Sequence, residues 1–139
     1  MIQKFTELQV KTKGQNLYDV TDQVNIYIKQ NNFINGIINL SIQHTSASLI
    51  IQENADPDVQ KDILNYYDKL VPMDNSLYKH ITEGKDDMPA HIKSSLTNNQ
   101  ISLSVKEGTI LLGTWQGIYL FEHRIEPQLR TIVLHFIGE

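Results

Sequence analysis

The carboxyl-terminal third of the chain constrains the fold most strongly, because it holds four strand-like segments in close succession. Residues 101–105 alternate apolar side chains with serines, which is typical of a strand with one buried face. A turn at Glu107-Gly108 separates this segment from three more. These three are expected over residues 110–114, 116–124 and 129–137. Connections this short cannot contain a crossover helix, so they favour antiparallel pairing.

The rest of the chain adds three strands and three helices. The strands are expected over 3–12, 37–44 and 49–53, with a turn over 13–16. The helices are expected to begin at Thr21 or Asp22, at Pro57 after the capping Asp56, and at Pro89. The element order β-α-β-β-α-α-β-β-β-β predicts an α+β fold, a largely antiparallel sheet or curled β-sandwich with helices packed on it.

Composition narrows the class of protein. A chain of 139 residues without a linker or repeat is expected to form a single domain, residues 1–139. The net charge of −4 argues against a nucleic-acid partner, and the absence of cysteine excludes disulfides and thiolate metal sites. No secretory segment or membrane-length apolar run occurs, so we expect a cytoplasmic protein with no membrane partner.

The segment 78–91 has the highest concentration of potentially reactive side chains in the chain. It combines two imidazoles with three carboxylates: His80, Glu83, Asp86, Asp87 and His91. Such groups move protons or hold a cation near neutral pH, so they are candidate catalytic residues. The alternative interpretation is a solvated polar loop.

A second cluster follows the strand over 37–44. The alternation of this strand places His44 on its apolar face, and three hydroxyls follow on Thr45, Ser46 and Ser48. Hydroxyls are costly to bury unpaired and suit an oxyanion or a hydroxyl-rich ligand. The alternatives are a core histidine and a turn stabilised by its own side chains.

Two further clusters lie in the carboxyl-terminal strands. Gly113 and Gly117 bracket Trp115, which indicates either a stacking surface or a core anchor at a strand corner. In 116–124, alternation puts Glu122 and His123 at the ends of opposite strand faces, so one face must bury a polar group.

Imidazoles with carboxylates suit zinc or a similar divalent ion, and His80, His91 and His123 are the candidate ligands. Without a metal, the same groups could act as a general acid–base pair. Recognition of a phosphate would depend on a cation and on backbone N–H groups at a helix start. The cations considered for this role are Lys79, Lys85, Lys93 and Arg124.

Four motifs in this order resemble the YjbQ family, whose members are often labelled secondary thiamine-phosphate synthase. They are HTSASL at 44–49, ENADP at 53–57, EGKDDMPAH at 83–91 (with His80 just before it) and LGTWQGIYLFEHR at 112–124. The resemblance implies a compact α+β trimer whose polar clusters meet in a cleft near subunit contacts. It also implies a synthase activity, in which a thiazole phosphate displaces pyrophosphate from a pyrimidine diphosphate. Asp86 and Asp87 would then be candidate Mg²⁺ ligands.

The leading hypothesis is a small enzyme that binds a phosphorylated small molecule in a cleft lined by histidines and carboxylates. The candidate substrate-binding residues are His44, Thr45, Ser46, Ser48, Asn54, Thr114, Trp115, Gln116 and Arg124. One alternative is a module that binds a metal or metabolite without turnover. Another is that the clusters are polar plugs in a trimer interface.

Overall fold

A computed structural model describes residues 1–139 as two packed antiparallel sheets with three helices. The strands are β1 (Ile2–Thr12), β2 (Asn16–Asp19), β3 (Gly36–Ile42), β4 (Ala47–Glu53), β5 (Gln100–Lys106), β6 (Thr109–Ile110), β7 (Gln116–Glu122) and β8 (Gln128–Gly138). The α-helices are α1 (Thr21–Gln30), α2 (Pro57–Leu70) and α3 (Asp87–Leu96), and a 3₁₀ turn spans Asn75–Leu77. One sheet has the order β1-β8-β3-β5-β6, and the other has the order β2-β7-β4.

The main core lies between the facing sheets. Ile38 and Leu40 of β3 and Leu134 of β8 point inward from the five-stranded sheet, opposite Leu49 and Leu120 of the three-stranded sheet. Helix α1 closes one side of this core. Burial of these apolar side chains is the dominant stabilising term, about 25 cal/mol for each Å² removed from water.

The second face of the three-stranded sheet is covered by α2. Asp56 caps this helix by accepting the Asp58 N–H at 2.9 Å, and Pro57 occupies its first position, as predicted. Ile63 and Tyr67 pack from α2 towards Phe121 of β7. Strand β7 is therefore buried on both faces, and its carboxyl end leads into the region where α3 begins.

Several elements differ from the predictions. The predicted turn over 13–16 runs directly into β2, which the sequence did not indicate because it has four residues and only Leu17 is fully buried. The strand expected over 110–114 is reduced to the end of β6, and β3 ends at Ile42 instead of His44. Helix α3 begins at Asp87 and holds Pro89 in its first turn, where a missing N–H costs no helical hydrogen bond.

The cap of α1 also differs. The side chain of Asp19 accepts the Thr21 N–H at 2.9 Å, so the aspartate before the helix takes the role expected of Thr21 or Asp22. The α+β class and the curled antiparallel sandwich are confirmed. None of the helices has the length and hydropathy that a membrane span requires.

Candidate functional site

The candidate site forms where the loop before α3 folds against the carboxyl end of β7. The loop contributes His80 and Glu83, and the first turns of α3 contribute Asp87 and His91. Gly84 has a φ of +111° and lies so close to Asp86 that an added Cβ would be 2.9 Å from its Oδ1. The loop therefore needs glycine at this position to bring its side chains over the helix.

One oxygen of Asp87 is the centre of the cluster. Its Oδ2 lies 2.8 Å from His80 Nε2 and 3.1 Å from His91 Nε2. The His80 Nε2 also lies 3.2 Å from Glu83 Oε2. One side-chain atom from each of these four residues falls within 4.8 Å of the others. Asp87 is buried while His80 and Glu83 are exposed, so the cluster opens to solvent on one side.

The hydrogen-bond partners of His91 fix its tautomer. Its Nδ1 lies 2.9 Å from the carbonyl oxygen of Thr45, which can only accept, so Nδ1 carries the hydrogen. A neutral His91 therefore presents a bare lone pair on Nε2 to the Asp87 carboxylate oxygen. Two acceptors face each other at 3.1 Å, and this arrangement requires a proton or a cation between them.

Arg124 binds the carboxylates of Asp86 and Asp87. Its Nη1 donates to Asp87 Oδ1 at 2.7 Å and its Nε donates to Asp86 Oδ2 at 2.9 Å. Its Nη2 donates to the Glu83 carbonyl oxygen at 2.9 Å. All three guanidinium nitrogens bond within the chain, so Arg124 orients Asp87 Oδ2 towards the histidines. These bonds use three of its five N–H groups, and its predicted role in anion binding stays a prediction.

These contacts shift the pKa values of the acidic and imidazole groups in and beside the cluster. Burial raises the pKa of Asp87, but hydrogen bonds from His80 and the charge of Arg124 outweigh it, so the pKa falls below its ordinary value. The same balance, with Ile125 N–H and Arg124 as partners, lowers the pKa of Asp86. The hydrogen bond with Asp87 raises the pKa of His80.

His123 lies away from this cluster, in the interior. It is 1% exposed, and its Nε2 lies 2.9 Å from the Ser48 hydroxyl, which in turn contacts Thr97. Burial, with the charges of Lys93 and Arg130, lowers the pKa of His123 to about 3. His123 is thus a neutral core histidine, placed there because α2 and α3 cover this face of β7, and the structure does not bring it to the proposed metal ligands.

The opposite face of β7 buries a second polar group, Glu122. Its carboxylate pairs with the buried Arg130, accepts the Thr12 hydroxyl and accepts the N–H groups of His123 and Arg124. Sequence reasoning expected one buried polar face, and both are buried. It also missed Arg130, although this arginine occupies an inward, otherwise apolar position of β8, which is the signal that could have revealed it.

The hydroxyl cluster after β3 is largely used within the fold. The Ser46 hydroxyl accepts from Arg130, and Ser48 belongs to the chain of hydrogen bonds at His123. His44 leaves the strand register and is half-buried, because its Nε2 accepts the Thr131 N–H at 2.9 Å. Burial lowers the pKa of His44, and the nearby Arg130 adds to this effect. Thr45 contributes its carbonyl oxygen to His91.

The remaining predicted binding residues lie at the other end of β7. Asn54 donates its backbone N–H to the Trp115 carbonyl at 2.9 Å, and the Trp115 side chain is 63% exposed. Gln116 bonds to the backbone of its own loop, and Thr114 is exposed. Seven strand residues separate this end from the cluster, a span of about 20 Å at 3.3 Å per residue. Within one chain, these residues and the cluster do not form one site.

Fold and cluster together define a class: a two-sheet α+β domain that presents two histidines and two carboxylates at one end of its central strand. The family described as UPF0047 protein YjbQ-like matches residues 6–139, and the chain belongs to this family. A UPF0047 protein of Synechocystis is 43% identical over 95% of this chain and 90% of its own length. The UPF0047 protein YjbQ of Escherichia coli O157:H7 is 44% identical over 99% of this chain and 98% of its own.

Solved structures agree with the fold. An uncharacterised conserved protein of the yjbq/upf0047 family from Clostridium acetobutylicum has a TM-score of 0.87 at 36% identity, covering 95% of this chain and 99% of that one. A hypothetical protein from Aeropyrum pernix K1 has a TM-score of 0.89 at 27% identity, covering 98% and 99%. These relatives establish the family and the fold, and their descriptions assign no activity.

Proposed function

We propose that the chain is a metal-dependent enzyme that acts on a phosphorylated small molecule. Its divalent ion, of the zinc type, would be held by Nε2 of His80, Nε2 of His91 and Oδ2 of Asp87. Glu83, the most exposed member of the cluster, would complete the set or give way to substrate. A bound ion of this kind supplies a positive charge for phosphate oxygens and lowers the pKa of a coordinated water.

The observation that carries this proposal is the orientation of His91. Ligating histidines donate their second ring N–H to a backbone carbonyl or a carboxylate, which fixes the tautomer and turns the free lone pair towards the metal. Thr45 fulfils this role for His91 at 2.9 Å. The lone pair then faces Asp87, an arrangement that a cation would stabilise.

The ligand types favour zinc, and the distances between them are slightly shorter than those in a zinc site. Ligands about 2.0–2.2 Å from a tetrahedral zinc lie about 3.3–3.6 Å from one another. The three contacts in the cluster are 2.8, 3.1 and 3.2 Å, so small outward movements of the side chains would make room for the ion. Two imidazole nitrogens favour zinc over magnesium, which prefers oxygen ligands and bound water.

The chain's own residues have separate tasks in this proposal. Arg124 bonds to Asp87 Oδ1, so it keeps Oδ2 pointed at the ion and keeps the carboxylate charged. Arg124 is occupied in this way, so the substrate's phosphate would approach the ion from the solvent side, past His80 and Glu83. The synthase reaction that the family resemblance implies is one such chemistry, because its substrates carry phosphate and diphosphate groups.

Metal content and turnover test the proposal together. Purified protein would be stripped with a chelator, reloaded with Zn²⁺ or Mg²⁺, and assayed for thiamine phosphate formation and for pyrophosphate release. We expect one zinc per chain and turnover only in the reloaded protein. His91→Ala should lose both, whereas His135→Ala, a matched variant of a histidine on the outer sheet face, should keep both. Zinc binding without turnover of these substrates would favour the alternative of a binding module.

We also propose that the chain assembles into a homotrimer. The outer face of the five-stranded sheet supports this, because Phe5, Ile37, Leu129 and Ile137 are each at least 42% exposed there. Several exposed apolar side chains on one sheet face favour an interaction site there. Light scattering on the eluting protein should give three times the chain mass, and a monomer at micromolar concentration would contradict the proposal.

A further inference from the structure

A small cavity lies beside Thr45, the residue whose carbonyl oxygen accepts from His91 of the histidine–carboxylate cluster. It has a volume of about 160 Å³, and we call it the polar pocket. Its walls are His44, Thr45, Ser94, Ser95 and Asn99, and none of them is apolar. A water molecule takes about 30 Å³ of liquid volume, so the pocket has room for a small polar group.

Two residues of the pocket wall, Thr45 and Ser95, form hydrogen bonds with His91 of the cluster. The Thr45 carbonyl oxygen accepts from His91 Nδ1 at 2.9 Å, and Thr45 also forms part of the pocket wall. The Ser95 hydroxyl donates to the His91 carbonyl oxygen at 2.9 Å. A ligand group in the pocket would therefore be held one imidazole ring away from the proposed metal site.

Hydrogen bonds to the rest of the fold determine which polar groups of the pocket can donate to a ligand and which can accept from it. His44 Nε2 accepts the Thr131 N–H, so the hydrogen of the neutral ring is on Nδ1, which makes no hydrogen bond within the chain. Burial lowers the pKa of His44 and keeps the ring neutral. The Ser94 hydroxyl donates to the Ala47 carbonyl oxygen at 2.8 Å, and the Ser95 hydroxyl donates to that of His91. Each serine hydroxyl can therefore only accept a hydrogen bond from a ligand.

Charge argues against an anion in this pocket. No lysine or arginine lines it, and the serines belong to the carboxyl-terminal half of α3, whose dipole is negative at that end. The sequence prediction of an oxyanion or hydroxyl-rich ligand concerned the hydroxyls of Thr45, Ser46 and Ser48, of which only Thr45 lines this pocket. A group that both accepts a hydrogen bond from His44 and donates one to a serine fits better.

We propose that the polar pocket binds a hydroxyl group of the substrate, so that the substrate class is a hydroxylated metabolite such as a polyol or sugar derivative. This inference rests on the proposed function of the neighbouring cluster. The hydroxyl accepts from His44 Nδ1–H and donates to Ser95 Oγ, whereas an ionised carboxylate can only accept. Analogues that lack the hydroxyl would lose these two hydrogen bonds and bind more weakly.

The test uses the imidazole nitrogens as separate reporters. Protein with ¹⁵N-labelled histidine has five rings, and their nitrogen resonances report tautomer and hydrogen bonding. Glycerol is titrated in one arm and inorganic phosphate in the other, with and without zinc. We expect glycerol to shift the His44 nitrogens saturably and phosphate to leave them unchanged. Saturation by phosphate alone, or a response to neither probe, would overturn the proposal.

Two variants locate the site. Ser95→Ala should weaken glycerol binding about fivefold, the effect of one lost neutral hydrogen bond. Ser102→Ala, an exposed serine on β5 that bonds to Asn39, is the matched control and should leave the affinity unchanged. Equal affinities in both variants would place the glycerol elsewhere and reject the pocket. Zinc is read separately at His80 and His91, so a failed metal site and a failed hydroxyl site give different spectra.

Discussion

Acidification should destabilise the fold through His123, and the structure gives the size of the effect. The pKa of this buried ring is lowered from 6.5 to about 3, so below pH 6.5 the unfolded chain binds a proton that the folded chain does not. Stability therefore falls as the pH falls. At pH 5 the solution is 1.5 units below the unfolded-state value, and each unit corresponds to about 1.36 kcal/mol, which gives a loss of about 2 kcal/mol.

The assay is urea unfolding of the wild type and of His123→Gln at pH 7 and pH 5. The glutamine does not titrate, so the variant removes this contribution while the other groups, including His44 and His80, titrate in both proteins. The wild type should lose about 2 kcal/mol more than the variant between the two pH values. Equal losses in the two proteins would refute the assignment of His123 as a neutral core residue.

Three further changes have definite expected outcomes. Glu122→Gln leaves the buried Arg130 without its carboxylate and should cost about 3–5 kcal/mol in urea unfolding, and a loss below 1 kcal/mol would contradict the pairing. Gly84→Ala puts a side chain at a backbone φ of +111° beside Asp86, so it should lower the free energy of unfolding by about 1–2 kcal/mol. It should also weaken zinc binding measured by calorimetry. An unchanged zinc affinity would show that the loop does not shape the site. Ile137→Lys on the outer sheet face should shift light-scattering mass towards the monomer, and an unchanged trimer would exclude this face as the interface.

Features with local causes could be predicted from the sequence. Asp56 and Pro57 specify the start of α2 through a cap and a fixed φ, and both contacts are made within the helix itself. The pairing of Asp87 with His91 also has a local cause, their spacing of four residues on α3, but the helix expected to begin at Pro89 did not include Asp87. The alternation in the carboxyl-terminal strands was sufficient to predict the antiparallel sandwich.

Features that depend on distant partners could not be predicted. The sequence placed Arg124 in the site but could not show that Asp86 and Asp87 occupy it, because the loop and β7 meet only in the folded chain. The sequence also could not show that α2 and α3 cover the strand face of His123, so it remained a candidate metal ligand there. The role of the Thr45 carbonyl had no sequence signal, since any residue provides the same oxygen.

Anomalous diffraction at the zinc edge tests the central claim most directly. Crystals of the wild type and of a His80→Ala/His91→Ala variant would be grown after identical zinc loading and dialysis. The account predicts one strong anomalous peak in the wild type, about 2.0–2.2 Å from Nε2 of both histidines and from Asp87 Oδ2, and no peak there in the variant. An undisturbed cluster in the zinc-loaded wild type, with His91 Nε2 still facing Asp87 across an empty gap, would contradict it.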